Sequence, residues 1–96
     1  MNQILVENQN TWRLSGELSF ATVGALLSEF TQRAALSPPK ELDLSEVTRT
    51  DSAGLALLIE LRGQDASMTF RHLPRQMLSL ATLSCVQNLL TQNLSD

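Results

Sequence analysis

The apolar residues of this chain change period several times along its length, and that switching limits the possible folds more than any other feature. "TWRLSGEL" at 11–18 repeats every second residue, with Trp12, Leu14, Gly16 and Leu18 on one side and Arg13, Ser15 and Glu17 on the other. That is the pattern of a half-buried strand. Over 22–35 the step lengthens. Val23, Leu26, Leu27, Phe30 and Ala34 recur at helical spacing, and Glu29, Gln32 and Arg33 take the opposite face. This predicts an amphipathic helix with one core-facing stripe. Period two returns in "ELDLSEV" at 41–47, where Leu42 and Leu44 oppose Asp43 and Ser45. Strands that alternate with helices pack as a sheet covered by those helices, so the chain reads as a layered α/β sandwich.

The remaining segments fit that frame. Residues 3–7 are a short strand, and "NQN" at 8–10 is a turn that makes a hairpin with 11–18. "SPP" at 37–39 ends the first helix, because two prolines cannot continue it. A second helix is predicted from about 52 to 63, with Gly63 as its C-terminal stop. "SMTFRHL" at 67–73 alternates again, with Met68 and Phe70 inward. Pro74 suits the first turn of a further helix striped by Met77, Leu80 and Ala81. A last amphipathic segment at 85–92 carries Val86, Leu89 and Leu90. The predicted order is β-β-α-β-α-β-α-α: a mixed sheet of about four strands with helices packed on it. The 96 residues suit one domain spanning 1–96.

Composition removes several function classes. The net charge of −3 supplies no basic stripe for phosphate contacts, so nucleic acid is not expected as a partner. No apolar run approaches the roughly 20 residues that cross a bilayer, and "MNQILVENQN" lacks the basic and apolar regions of a signal peptide. The expected location is cytoplasmic, without direct membrane insertion. The lone Cys85 excludes an intrachain disulfide and reads as a small buried hydrophobe. The lone His72 has no carboxylate at a helpful spacing, and one His with one Cys cannot build a typical zinc site. Neither a phosphate-binding loop nor a dinucleotide fingerprint occurs, and no G-x-S-x-G elbow surrounds Ser52. The chain is therefore read as a non-enzyme without metal or cofactor.

The informative stretch is "TDSAGLALLIELR" at 50–62. Asp51 and Ser52 are both good helix N-caps, and the plain reading is that one of them caps and nothing more. Only one cap is needed, however. If Asp51 supplies it, the Ser52 hydroxyl is left at a helix N-terminus, where free N–H groups favour negative charge. A phosphoryl group or a partner contact suits that position, and Gly54 places no side chain against the tip. The helix itself is unusually apolar. Leu55, Leu57, Leu58, Ile59 and Leu61 cover an arc of about 200°, where a surface helix needs a stripe of about 100° or somewhat more. Part of the arc faces the sheet. The rest either packs under a neighbouring helix or forms a docking patch that includes Leu57 or Leu61.

"LDLSEVTRTDSAGLALL" resembles the STAS domain family, in which a strand ending in Asp-Leu-Ser runs into a D-S-x-G cap and an apolar helix. "LSGEL" at 14–18 resembles the Gly-Glu-Leu turn near the start of the same family. Within it, "GLALL" and "MLSLATLSCVQNLL" look most like the MlaB branch, the small STAS subunits of bacterial phospholipid ABC transporters. The resemblance implies the STAS sandwich fold and a regulatory rather than chemical role. In the anti-sigma-factor-antagonist branch a partner kinase phosphorylates the cap serine, here Ser52. MlaB-like subunits instead dock on the transporter's ATPase, and through it indirectly on the membrane permease. They use the region around the same hydroxyl and its helix, here Thr50, Asp51, Ser52, Gly54, Leu57 and Leu61. Such a subunit is cytoplasmic and peripheral to the inner membrane through its partner. Two departures stand out. Ser19 follows "GEL" where Asp is frequent, and Ser52 with Ala53 replaces a frequent Thr and Gly, which keeps the phosphorylated alternative open.

Without a phosphate loop, the purified chain is expected to give no saturable heat of ATP binding in a calorimeter. A stoichiometric binding isotherm would refute the reading.

Overall fold

The structure is a computed structural model, described here for residues 3–35 and 37–83. β1 (Gln3–Val6) and β2 (Thr11–Leu18) form an antiparallel hairpin that sets Ile4 opposite Leu14 and Val6 opposite Trp12. Its turn is made by Asn8, whose side-chain oxygen accepts the N–H groups of Asn10 and Thr11 at 2.8 and 2.9 Å. β3 (Glu41–Thr50) lies parallel to β2, and β4 (Thr69–Arg71) parallel to β3. The four-stranded mixed sheet has the order β1-β2-β3-β4. α1 (Val23–Ala34) connects β2 to β3, α2 (Ser52–Gln64) connects β3 to β4, and α3 (Arg75–Leu83) follows. The α/β architecture read from the periodicity is therefore the architecture found. The segment predicted as a helix at 85–92, with Cys85, lies outside the described residues.

One face of the sheet carries the core. Ile4, Trp12, Leu14, Leu18, Leu42, Leu44 and Phe70 are all buried there, as alternating side chains on a covered face must be. The row between them is charged and largely paired. Arg13 bridges Glu7 and Asp43, Arg71 lies 3.3 Å from Glu41, and Arg49 lies 3.5 Å from Glu17. From above, α1 buries Leu26 and Phe30, with Val23, Leu27 and Ala34 packed against the core as its spacing predicted. Phe30 meets Trp12 edge to face, with ring centroids 5.2 Å apart. Arg33, expected on the polar face, folds back instead. Its guanidinium lies 5.8 Å over the Trp12 ring and donates to the Ile4 carbonyl at 3.1 Å and to Glu29 at 3.0 Å. An arginine's long stem lets its head reach across an edge strand in this way.

β4 and β1 are shorter than the 67–73 and 3–7 segments expected for them, and three further boundaries differ. β3 runs on to Thr50 rather than stopping near 47, because its pairing with β2 shifts register twice, between Arg13 and Ser15 and between Gly16 and Glu17. At each shift β3 holds one residue more than β2, so the strand continues although its alternation breaks. Gly16, which lies between the shifts, has φ 89°, a left-handed value that glycine adopts without a Cβ clash. Gly63 is not the stop of α2 but lies within it. Asp65 ends the helix, its N–H bonding the Leu61 carbonyl at 3.1 Å and its carboxylate accepting the Ser67 N–H at 3.0 Å. Pro74 stands one residue before α3, and its carbonyl accepts the Met77 and Leu78 N–H groups.

α2 is the hub. It contacts β3, α1 and α3, which accounts for its wide apolar arc: Leu55, Leu57, Leu58 and Leu61 are all buried. Even Arg62 is only 8% exposed, its guanidinium 4.8 Å above the Phe70 ring. Leu58 is completely enclosed. Leu58→Ala should cost about 2–5 kcal/mol, and each kcal/mol lowers the melting temperature of a domain this size by about 4–8 °C. Thermal unfolding followed by circular dichroism measures it. A drop of under about 4 °C would mean that the site closes around the loss.

Candidate functional site

The end of β3 and the start of α2 meet at Asp51. Its backbone is extended, with φ −127° and ψ −168°, as a residue just outside a helix must be. One carboxylate oxygen accepts the Ala53 N–H at 2.8 Å and so caps α2. The other accepts the Phe20 N–H at 3.1 Å and so ties down the loop between β2 and α1. The Asp51 N–H in turn bonds the Leu18 carbonyl at 3.2 Å. Of the two candidate caps, Asp51 does the work. The Phe20 N–H, followed by those of Ala53 and Gly54, holds its carboxyl below the usual carboxylate range.

The residues around it divide into supports and surface. Thr50 is 3% exposed; its hydroxyl donates to the Asp51 carbonyl, and its N–H bonds the Gln76 side chain of α3 at 3.1 Å. Gly54 is buried. A Cβ there would stand 2.0 Å from the Thr50 hydroxyl oxygen and 2.8 Å from the Leu18 carbonyl. Its role is this inward close approach, not an open space at the tip. Leu57 and Leu61 are 4% and 0% exposed, so neither is displayed as a docking patch, and internal packing claims both. Ser52, the first residue of α2, is exposed and takes no part in the capping.

The loop tied to Asp51 carries a residue that sequence reasoning passed over. Phe20 is 88% exposed at the tip of the β2–α1 loop. The signal was available: a large aromatic two residues after a strand, in a chain with only three Phe and one Trp. Phe20 opens a groove of about 410 Å³ between α1 and α2, walled by Val23, Gly24 and Leu27 on one side and by Ala53 and Ala56 on the other. Leu57 forms its floor and Glu60 its rim. The loop under Phe20 is well held. The Ser19 N–H donates to the Thr22 hydroxyl at 2.9 Å, and that hydroxyl donates to the Glu17 carbonyl at 2.8 Å. Among the described residues no cluster of three or more His, Cys, Asp or Glu side chains stands ready for a metal ion. His72 is exposed with φ 58°, on a turn rather than in a cleft.

The sequence profile of a family described as "Mlab, STAS domain" matches residues 5–91. Among solved structures, the chain is similar to the anti-sigma factor antagonist SpoIIAA in its unphosphorylated form. The TM-score is 0.67 at 14% sequence identity, over 94% of this chain and 85% of that one. At that identity the likeness is one of fold. No curated protein matches the chain in a sequence comparison.

The Asp51 tie has a pH signature. A carboxyl whose folded pKa lies below its unfolded value of about 3.9 contributes stability above that value, and loses it as pH falls through the folded pKa. Asp51→Asn should therefore melt a few degrees lower than the parent at pH 7, and the gap should narrow as pH falls below about 3.9 and through the folded value. Melting temperature against pH for the two proteins measures this. A gap that persists undiminished at pH 2 would remove the carboxylate's charge from the explanation.

Proposed function

The chain belongs to the STAS domain family, in its MlaB-type branch, and we propose that it is the non-catalytic STAS subunit of an ABC transporter that moves phospholipids between membranes. In this role it docks on the transporter's ATPase and regulates or stabilises it, and reaches the permease only through that partner. It sits at the cytoplasmic side of the inner membrane and contributes to outer-membrane lipid asymmetry. Among the described residues no helix is long and apolar enough to cross a membrane, so attachment through a partner is the reading that fits.

One observation carries the proposal. Asp51 caps α2, which leaves the exposed Ser52 hydroxyl with no capping task, next in the chain to the residue that ties down the Phe20 loop. A small neutral hydroxyl on a well-braced helix tip is a contact point for a protein surface. The same exposed hydroxyl favours a second reading, an anti-sigma-factor antagonist switched by phosphorylation at Ser52, because a helix N-terminus accommodates a phosphoryl group.

Two substitutions at one position test the proposal. Ser52→Ala should cost about 1 kcal/mol or less, since the cap is elsewhere. Ser52→Asp should keep or slightly raise the melting temperature, as a negative charge at a helix N-terminus does. It should nevertheless lose the ATPase, because a surface fitted to a neutral hydroxyl must desolvate the carboxylate. Thermal melting and co-purification with the ATPase are read side by side. If Ser52→Asp binds the ATPase normally while Ser52→Ala is strongly destabilised, Ser52 is a structural residue. If a kinase and not an ATPase comes down with the parent chain, the second reading replaces the first.

A further inference from the structure

We infer that the cavity between the C-terminal ends of α1 and α2 binds a small amphiphilic amine, with its hydrocarbon body over Phe30, Leu61 and Met68 and its ammonium group at Asp65. This site is separate from Ser52. α2 has 13 residues, so its two ends lie about 20 Å apart. The inference therefore does not depend on what docks at the other end.

The shape suits a small molecule. The cavity holds about 440 Å³, within the range of about 300–1,000 Å³ in which such sites are found. Its floor is made by Phe30, Leu61 and Met68, all buried. Phe30 is held edge to face by Trp12, so that part of the floor is preformed and little ordering is left for binding to cost. Met68 adds an unbranched, polarisable side chain that moulds to irregular apolar shapes. Ala34 and Ala35 form the α1 wall and Gln64 the α2 wall. The two alanines carry nothing beyond Cβ, and that leaves the volume open. An apolar floor beneath a few polar groups is the construction that seats an amphiphile.

The charge selects a cation. Both helices end in the wall of the cavity, α1 at Ala34 and α2 at Gln64. Each helix C-terminus carries roughly −0.5 elementary charge. The arginines of the two last turns, Arg33 and Arg62, do not line the cavity. Arg33 bonds Glu29 and the Ile4 carbonyl, and Arg62 lies over Phe70. Asp65, the residue that ends α2, adds a full negative charge in the same wall. One of its oxygens accepts the Ser67 N–H at 3.0 Å and the Ser67 hydroxyl at 2.6 Å. The other accepts nothing among the described residues, and no cation is among the described lining residues. Two helix ends and a carboxylate are three sources of one sign. An ammonium group is a compact cation with several N–H donors to meet them, and a carboxylate or phosphate is repelled by all three.

The test titrates the isotope-labelled full chain with three probes that share a tail and differ in the head: n-octylamine, n-octanol and n-octanoate, each kept below its micellar concentration. Octylamine should saturate, with amide shifts centred on Ala35, Leu61, Asp65 and Met68. Octanol should bind about fivefold more weakly and octanoate more weakly still, and the gap between amine and alcohol should shrink at high salt. Asp65→Asn keeps an acceptor for Ser67 and drops the charge, so it should bind octylamine and octanol nearly alike. Gln64→Glu, at an exposed position in the wall, should tighten octylamine about two- to fivefold and leave octanol unchanged. It decides the charge argument even if Asp65→Asn fails to fold. Ala35→Phe, on an exposed residue with helical backbone, should fill the cavity and abolish the shifts from all three probes. Melting temperatures read beside the titrations identify any variant that has unfolded. Octanoate binding as tightly as octylamine overturns the cation. Failure of every probe to saturate, shifts scattered over the surface, or shifts that survive in folded Ala35→Phe overturn the site.

Discussion

The Asp51 carboxylate holds together everything that gives this surface its shape. Its two oxygens reach different elements, Ala53 at the start of α2 and Phe20 in the loop after β2. Without that span the helix tip and the loop would be two independent surface features. With it they form one, because the Phe20 backbone and the first turn of α2 are joined by two bonds to the same group. The elements beneath are locked as tightly. Gly54 lets α2 descend until a Cβ would strike the Thr50 hydroxyl and the Leu18 carbonyl, and Thr50 is tied through its N–H to Gln76 of α3. Ser52 therefore stands on a platform fixed by β2, β3, α2 and α3 together.

The second constraint is the composition of α2. A helix with leucine at 55, 57, 58 and 61 cannot leave most of its circumference in water, and here the sheet and two helices cover it. Only one stripe remains outside, and it runs through Ala56, Glu60, Gly63 and Gln64. The exposed stripe is consequently not built from the leucines that make the helix conspicuous. The leucines set where the stripe lies, and the small residues on it set how close another chain can come. The most exposed large apolar side chain among the described residues stands elsewhere, at the loop tip, where Phe20 is 88% exposed.

The elements and their order were legible because each has a periodicity that its own residues declare. The stripe Val23-Leu26-Leu27-Phe30-Ala34 packs inward as spaced, and Met68 and Phe70 point inward as alternation requires. What escaped depended on partners distant in sequence. The end of β3 is set by two register shifts against β2, and no period of its own residues reports them. Whether Leu57 and Leu61 are surface or core depends on where α1 and α3 lie. Arg33 reads as a polar-face residue, yet it lies against Trp12, a ring on another element. At the site, the choice of Asp51 as cap was open locally and was decided by its second bond to Phe20, thirty-one residues away in sequence. Phe20 itself was overlooked because a single residue in a loop has no period to betray it.

The surfaces open to another chain are unequally prepared. A sheet invites strand addition at its edges, but β1 has four residues and β4 three. On β1 the Ile4 carbonyl is already occupied by Arg33, itself held by Trp12 and Glu29. The charged face of the sheet offers side chains that largely satisfy one another, so a partner there would have to break Arg13–Asp43 or Arg71–Glu41 before gaining anything. The α1–α2 side differs on each count. Its backbone is capped internally, its walls are small, its aromatic is exposed on a fixed loop, and the hydroxyl at its end has no capping task to give up. A contact on that side breaks none of these pairings.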